Sequence, residues 1–292
     1  MKQSVPVCIP DSNSQFQNWS HAIPELPEAE TIARGLASTI VGKTIAGARA
    51  LRPEIVIAAR RPAFGKQLAG DRITRVGRRG KYPIVELASG RTLVVSLRMT
   101  GRLIVQRQTD ALYPYTNVII DFTDGTRLAF ADVRRFGRMR LVQKDEIWDA
   151  ELGVEPLSQE FDIPRFAAIL KGRPTPIKAF LLDQRRIAGV GNIYAVEALW
   201  ESQIKPSTPA GKLSRERIGR LHGALQAVLR KAIEMRGTSS RDYVDAEGME
   251  GGFQNELTVY GRAGEPCPRC KKPLVRTVLA QRGTWWCRNC QR

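Results

Sequence analysis

Two short cysteine pairs carry the clearest chemistry in this chain. Cys267-x2-Cys270 and Cys287-x2-Cys290 are separated by sixteen residues, a spacing that sets four thiolates tetrahedrally around one zinc ion. The last 40 residues, which hold them, are too few to fold on a hydrophobic core, so the metal would supply the folding energy. His21 and His222 are the only histidines, and neither is near the cysteines. One Zn(2+), structural rather than catalytic, is the expectation; four free or oxidised thiols is the competing reading. Between the pairs, VRTVLAQRGTWW reads as a hairpin with Arg282 near its tip.

Four other stretches could do chemistry. In RIAGVGNIY (186–194), glycines before Asn192 allow close approach of a ligand to the backbone, and the next helix offers its N-terminus, a geometry that suits phosphate. Such a turn also serves simply to pack two helices. Lys81 in RRGKYPIVEL stands at a strand entrance, and its neighbours Arg78 and Arg79 read as a solvated basic turn. Met99 in SLRMTGRL lies at a strand end, where a methionine is commonly core. In ADVRRFGR, Arg134 and Arg135 precede Phe136; an aromatic beside cations can enter a base stack while the cations hold the backbone.

The elements that must position these residues follow from pattern. Pro27 suits a first helical turn, Glu28 and Glu30 lie near its positive end, and Ile32, Leu36 and Ile40 recur at four-residue spacing before Gly42. Residues 43–145 break into short β-like runs, among them YPIVELASG, RTLVVSLRMTG, NVIIDFTDG and TRLAFADV, a pattern of a sandwich or barrel. LGVEPLSQEFDIP (152–164) reads as a linker. Helical patterns follow at 177–183 and 193–203. A long helix capped by Ser214 then carries Ile218, Leu221, Leu225, Val228, Leu229 and Ile233 on one stripe and ends at Gly237. Residues 237–252 read as a mobile loop.

Composition narrows the function classes. The chain has 292 residues, 42% hydrophobic and 26% charged, with a net charge of +17; a chain this basic is usually built to meet a polyanion, above all nucleic acid. No apolar run approaches the length of a membrane span. Five cysteines, one of them Cys8, do not make a disulfide framework at this size, so a reducing cytoplasm is expected. Residues 1–23 are polar and turn-rich and do not read as a signal peptide.

Taken together, PELPEAETIARGL, RRGKY, MTGRL, DVRRFG, GVGNIYAVEAL, VYGRAGEPC and CPRC…QRGTWWCRNC resemble bacterial formamidopyrimidine-DNA glycosylase, in that family's order from residue 24 to 292. Leu26 favours this oxidised-purine branch over the related endonuclease VIII branch, which typically begins Pro-Glu-Gly-Pro-Glu. The resemblance implies an α+β chain: a catalytic β-sandwich with flanking helices (24–151), a linker (152–164), a helix-two-turn-helix domain with a lesion lid (165–252), and a zinc finger built on a β-hairpin (253–292). It implies excision of 8-oxoguanine and formamidopyrimidines from double-stranded DNA, then β,δ-elimination at the abasic site, by a cytoplasmic bacterial monomer. Pro24 would be the nucleophile that forms a Schiff base and Glu25 its proton carrier. Lys81, Arg282 and Asn192 would contact phosphates, Lys81 and Arg282 also assisting the eliminations. Met99, Arg134 and Phe136 would fill the gap left by the extruded base and meet its orphaned partner.

Elementary chemistry agrees with these roles. A base inside a duplex must be extruded at a cost of a few kcal/mol. A terminal proline is a secondary amine; an α-amino group titrating near pH 8 is about a tenth neutral at pH 7, against about 0.04% for a lysine. Three departures from the family stand out: Val133 where proline usually precedes Arg-Arg-Phe, Tyr115 and Asn117 in place of a common His-x-His, with Tyr115 kept as a candidate DNA contact and Arg135 beside it, and the 23 residues before Pro24. As an internal residue Pro24 has an amide nitrogen and no route to an iminium. Residue 23 is isoleucine, so removal of an initiator methionine does not expose it. A start at codon 23, proteolysis, or a lesion-binding protein without lyase activity are the three expectations this raises. A zinc-ribbon transcription or RNA-binding factor would explain the cysteines and charge but not Pro24-Glu25 or Lys81.

Overall fold

The computed structural model describes residues 24–58, 64–144, 146–239 and 248–292. The expectations for residues 1–23, and those for 240–247 of the lid loop, lie outside the described residues.

Helix α1 (Leu26–Ile40) begins where Pro27 suits the first turn and where the Glu28 carboxylate turns back to accept the Glu25 N–H at 2.8 Å. Its inner face, Ile32, Ala33, Leu36 and Ile40, is fully buried. The chain then runs through β1 (Ile45–Ala50), β2 (Val56–Ile57), α2 (Phe64–Leu68), β3 (Ile73–Arg79), β4 (Tyr82–Leu87), β5 (Thr92–Ser96), β6 (Gly101–Arg107), β7 (Thr116–Phe122), β8 (Thr126–Asp132) and β9 (Arg138–Val142). These strands form a four-stranded sheet, β1-β7-β8-β6, and a five-stranded sheet, β2-β9-β5-β4-β3, antiparallel except for the β2–β9 pair. Leu103, Phe122, Leu128 and Phe130 of the first sheet meet Val85, Leu93, Val95 and Leu141 of the second in one core, so the expected sandwich is the observed one.

The second half is helical: α3 (Ile163–Leu170), α4 (Ile177–Leu182), α5 (Asn192–Glu201) and α6 (Arg215–Glu234). Asp162 and Ser214 cap α3 and α6 through the N–H groups of Arg165 (2.7 Å) and Arg217 (3.3 Å). Along α5 every residue from Ile193 to Trp200 is buried, the signature of a central helix. The hairpin β10 (Val275–Leu279) and β11 (Arg282–Trp286) completes the chain; Trp285, Leu274 and Cys287 join the helical core. The buried Glu197 carboxylate ties α5 to that unit, accepting from the N–H groups of Thr258, Val259 and Tyr260 at 2.8–3.0 Å.

One feature of this arrangement sets up the site. Leu26 belongs to the helical core and Ile32, six residues on, to the sandwich core. The first turn of α1 therefore sits on the seam between the two halves. The segment 152–164 is not a free linker either, since the Gly153 N–H donates to Gln184 O at 2.8 Å and the Ala188 N–H to Val154 O at 2.9 Å.

Candidate active site

The site assembles around the seam. The Leu26 N–H donates to Gly189 O at 3.0 Å, stitching the start of α1 to the glycine turn. Gly189 has φ +87°, and a Cβ there would lie 2.8 Å from Leu26. A Cβ on Gly191 would lie 2.2 Å from the Glu25 carboxyl carbon. The two glycines exist for close approach: they let a carboxylate slide over the turn and reach the N-terminus of α5, where Glu25 Oε1 accepts the Ile193 N–H at 3.1 Å.

Glu25 is 4% exposed, and burial pushes its carboxyl from the usual 4.5 to about 7, with Lys81 opposing and Glu28 adding to the rise. Among the described residues Glu25 Oε2 is buried with no hydrogen-bond partner. A carboxyl that is part protonated at neutral pH, with one oxygen unspent, is equipped to give or take a proton. Pro24, directly before it, is buried. Glu28 backs the pair: it accepts from the Glu25 N–H, the Tyr194 hydroxyl and the Thr238 N–H (2.7 Å), and burial raises its pKa too.

Two lysines and an arginine face these acids. Burial lowers the Lys81 pKa, Glu25 and Glu28 pull it back up, and Arg282 lowers it further, so the four residues share one electrostatic neighbourhood. Lys178 was not among the residues singled out from the sequence. It is wholly buried in α4, donates from Nζ to Leu279 O at 3.2 Å, and is brought down to about 8 by burial and by Arg282. It lies in the helical run IKAFLLD, where nothing local marks it, and its contact with the hairpin comes from 101 residues away. Asn192 Nδ2 donates to Gly283 O at 3.1 Å, next to Arg282 on that hairpin, while its buried Oδ1 has no partner among the described residues.

A second group of candidates lies at the ends of the sandwich strands. Asp132 is 1% exposed, and its carboxylate accepts from the Thr100 hydroxyl, the Arg134 N–H (3.1 Å) and the Gly137 N–H (2.7 Å). It thus fastens the Met99 turn to the loop carrying Arg134, Arg135 and Phe136. Arg134 Nη1 reaches Met99 Sδ at 3.4 Å, and Phe136 projects with 57% of its surface exposed. Arg138 Nη1 brackets the loop by donating to Arg135 O (2.9 Å) and Gly137 O (2.7 Å), so it is held firmly with Val133 in place of a proline. Tyr115 is exposed, whereas Asn117 is buried and donates to Asp132 O at 3.0 Å. Of those two, only Tyr115 faces outward.

Arg78 and Arg79 correct the reading of a solvated basic turn. Arg78 pairs with Glu30 (2.9 Å) and Glu155 (2.5 Å), and Arg79 with Asp149 (2.8 Å) and Glu155 (3.0 Å), with side chains 10% and 22% exposed. Glu155 also accepts the Gly80 N–H at 2.6 Å. Their partners lie 48 to 77 residues away, beyond any local pattern. The pairs lock the two halves together just before Lys81.

The Sγ atoms of Cys267, Cys270, Cys287 and Cys290 all lie within 4.8 Å of one another, Cys267 and Cys287 buried. Four thiols converging at this spacing fit one tetrahedral zinc, with no position left for substrate. The ion would hold the base of the hairpin whose tip carries Arg282. The Tyr260 and Trp285 rings pack against each other beside it at 4.5 Å.

Comparison with known proteins accords with this geometry. Residues 23–139 match the formamidopyrimidine-DNA glycosylase N-terminal domain, 152–244 the H2TH domain of the same enzymes, and 264–292 the zinc finger found in FPG and IleRS. The chain is 45% identical over 271 residues to the formamidopyrimidine-DNA glycosylase of Chloroflexus aggregans, covering 92% of this chain and 98% of the relative. To that of Moorella thermoacetica it is 48% identical over 258 residues, 87% and 94% of the two chains. The crystal structure of MutM (Fpg) from Thermus thermophilus superposes with a TM-score of 0.82 at 40% identity, over 92% of this chain and 98% of that one. Lactococcus lactis Fpg in complex with abasic-site DNA superposes with a TM-score of 0.84 at 36% identity, over 92% and 99%. Three matching domain models in sequence along the chain, and relatives 45–48% identical over nearly their whole length, place this protein in the formamidopyrimidine-DNA glycosylase family.

Proposed function

We propose that this chain excises oxidised purines, 8-oxoguanine and formamidopyrimidines, from duplex DNA and then cleaves the abasic strand through a Schiff base on Pro24. The observation that carries the reading is Glu25: a buried carboxyl adjacent to Pro24, raised to about 7, with one oxygen uncommitted. The Pro24 secondary amine attacks C1′; the N–C1′ bond forms, the glycosidic bond breaks, the base leaves with its electron pair, and the proton lost by the proline nitrogen neutralises it. Glu25 protonates O4′ as the sugar ring opens, giving the iminium. Loss of a C2′ proton then breaks C3′–O3′, and loss of a C4′ proton breaks C5′–O5′. Dividing base loss and strand cleavage around one covalent intermediate lowers both barriers.

The remaining candidates take positioning roles in this reading. Lys81, Arg282 and Asn192, at the seam and the hairpin tip, hold phosphates beside C1′. Lys178, sharing their neighbourhood, adds charge that favours phosphate. Met99 and Phe136 enter the stack in place of the extruded base, supplying roughly 1–3 kcal/mol per aromatic contact, while Arg134, Arg135 and Tyr115 meet the surrounding DNA. A division at 24–151, 165–252 and 253–292, with one DNA site between the halves, suits a monomer acting on cytoplasmic DNA. No helix among the described residues is long and apolar enough to cross a membrane.

The chemistry requires Pro24 to be a terminus, since an amide nitrogen cannot form an iminium. Intact-mass measurement of the cell-derived protein, followed by borohydride trapping on an 8-oxoguanine duplex, tests this. A chain beginning at Pro24 that yields a covalent adduct supports the proposal. A chain that retains residue 23, yields no adduct and still prefers the lesion duplex is instead a lesion-binding protein without lyase activity.

A further inference from the structure

Tyr115 has a positive φ of 61°, a left-handed conformation that is strained for a non-glycine residue. It also leaves 68% of its surface, most of an aromatic ring, in solvent. Strain of this kind persists where the surroundings impose it and is common at functional sites. Here the surroundings are visible: the Asp132 N–H donates to Tyr115 O at 3.1 Å, and Asn117 Nδ2 holds Asp132 O at 3.0 Å. The first bond ties Tyr115, and the second Asn117 two residues on, to Asp132, from which the loop that carries Phe136 departs.

Tyr115 lines a recess of about 280 Å³ together with Thr100, Arg102, Tyr113, Asp132 and Val133, near the small end of ligand cavities, roughly 300 Å³. Two of its lining residues are exposed and largely apolar, Tyr115 and Val133, the latter 49% exposed. Most of its polar side chains are engaged internally. The Asp132 carboxylate holds Thr100, Arg134 and Gly137, and the Arg102 guanidinium donates to the Tyr113 hydroxyl and lies 5.9 Å from that ring's centre. The recess therefore offers ring faces and a cation rather than free donors and acceptors. A flat, electron-rich heterocycle suits it, and in a chain of net charge +17 beside the Arg134–Phe136 loop that heterocycle is a nucleobase.

We propose that the Tyr115–Val133 recess is a second base-stacking site, taking one nucleobase of the DNA flanking the position entered by Phe136. The inference rests on the DNA-binding reading above. With Thr100, Arg102 and Asp132 already engaged, the site holds a base mainly by stacking and is largely indifferent to which base it is.

The test uses the full chain and duplexes carrying a tetrahydrofuran abasic analogue, so that binding is read without turnover. 2-Aminopurine is placed in turn at each nucleotide flanking the analogue on both strands. One position is expected to be quenched on binding by wild type and by Tyr115→Phe but not by Tyr115→Gly. Tyr115→Gly also binds about 5- to 100-fold more weakly, yet melts no lower than wild type, because glycine relieves the left-handed strain. That pairing separates a binding role from a folding role. A Tyr115→Gly variant that binds as tightly as wild type, or quenching at no position that depends on Tyr115, overturns this inference alone. A wild-type chain that does not distinguish the analogue from undamaged duplex overturns the DNA-lesion reading beneath it.

Discussion

The seam and the strand-end loops handle charge and exposure in opposite ways. At the seam, Glu25, Glu28 and Lys178 are buried, and burial drives the pKa values of all three. At the strand ends, Phe136 and Tyr115 are exposed, and the constraint falls on the backbone: Arg98, Tyr115 and Arg135 all have φ between 51° and 61°. The same contrast recurs on the hairpin, where left-handed Ala280 and Gln281 precede the exposed Arg282. Proton transfer needs groups removed from water, where a shifted pKa is maintained. An aromatic offered to a partner has to stand out of its own core, and a strained loop holds Phe136 there. One region stores its cost in desolvation, the other in conformation.

Substitutions can break this division. The largest effect is expected from Glu25→Gln, which removes the proposed proton carrier: excision should fall roughly 10²–10⁴-fold, while affinity for an abasic-analogue duplex stays within about twofold. Phe136→Ala should do the reverse, weakening that affinity about 5- to 100-fold and leaving the single-turnover rate at saturating enzyme much closer to wild type. If both variants lose rate and affinity together, the two regions are one unit and the contrast fails.

Gly191→Ala comes next. The added methyl would sit 2.2 Å from the Glu25 carboxyl carbon, so either the carboxylate or the turn must move. A stability loss of about 1–3 kcal/mol in urea unfolding should accompany loss of the activity limb near pH 7. A fully active Gly191→Ala enzyme would show that Glu25 does not need its place over the turn.

The raised Glu25 pKa also has a stability signature. Its folded value, about 7, lies above the ordinary 4.5, so the folded state favours the protonated form. The contribution is fully present below about pH 4.5 and is lost as pH rises through about 7, amounting to at most about 3 kcal/mol. Glu25→Gln should flatten stability between those limits in denaturation at fixed salt, and an unchanged profile would assign the pH dependence elsewhere. The smallest effect belongs to the loops: Arg135→Gly should raise stability by up to about 1 kcal/mol, read by thermal melting, and weaken DNA binding modestly through a lost cation.

Much of this was readable in the sequence, for local reasons. Strand alternation, the Ser214 cap, the Pro27 first turn and the spacing of Cys267, Cys270, Cys287 and Cys290 are short-range signals, and each appears where pattern placed it. Arg78 and Arg79 were misjudged because Glu155 and Asp149, their partners, are far along the chain. Lys178 carries no local mark, and nothing local separates Asn117 from Tyr115; the hairpin encloses the lysine and Asp132 takes up the asparagine.

The sequence by itself determined the two cores, the zinc ligands and the presence of a Pro-Glu pair at the head of a helix. These depend on hydrophobic period and on ligand spacing, both of which are written in neighbouring residues. Only the tertiary structure decided that Glu25 lies against Gly191 with an oxygen unspent, that Lys178 is internal, and that Asn117 is a strut while Tyr115 is a surface. A side chain's proton affinity and its exposure are set by whatever packs against it, and at this seam those neighbours come from opposite ends of the chain.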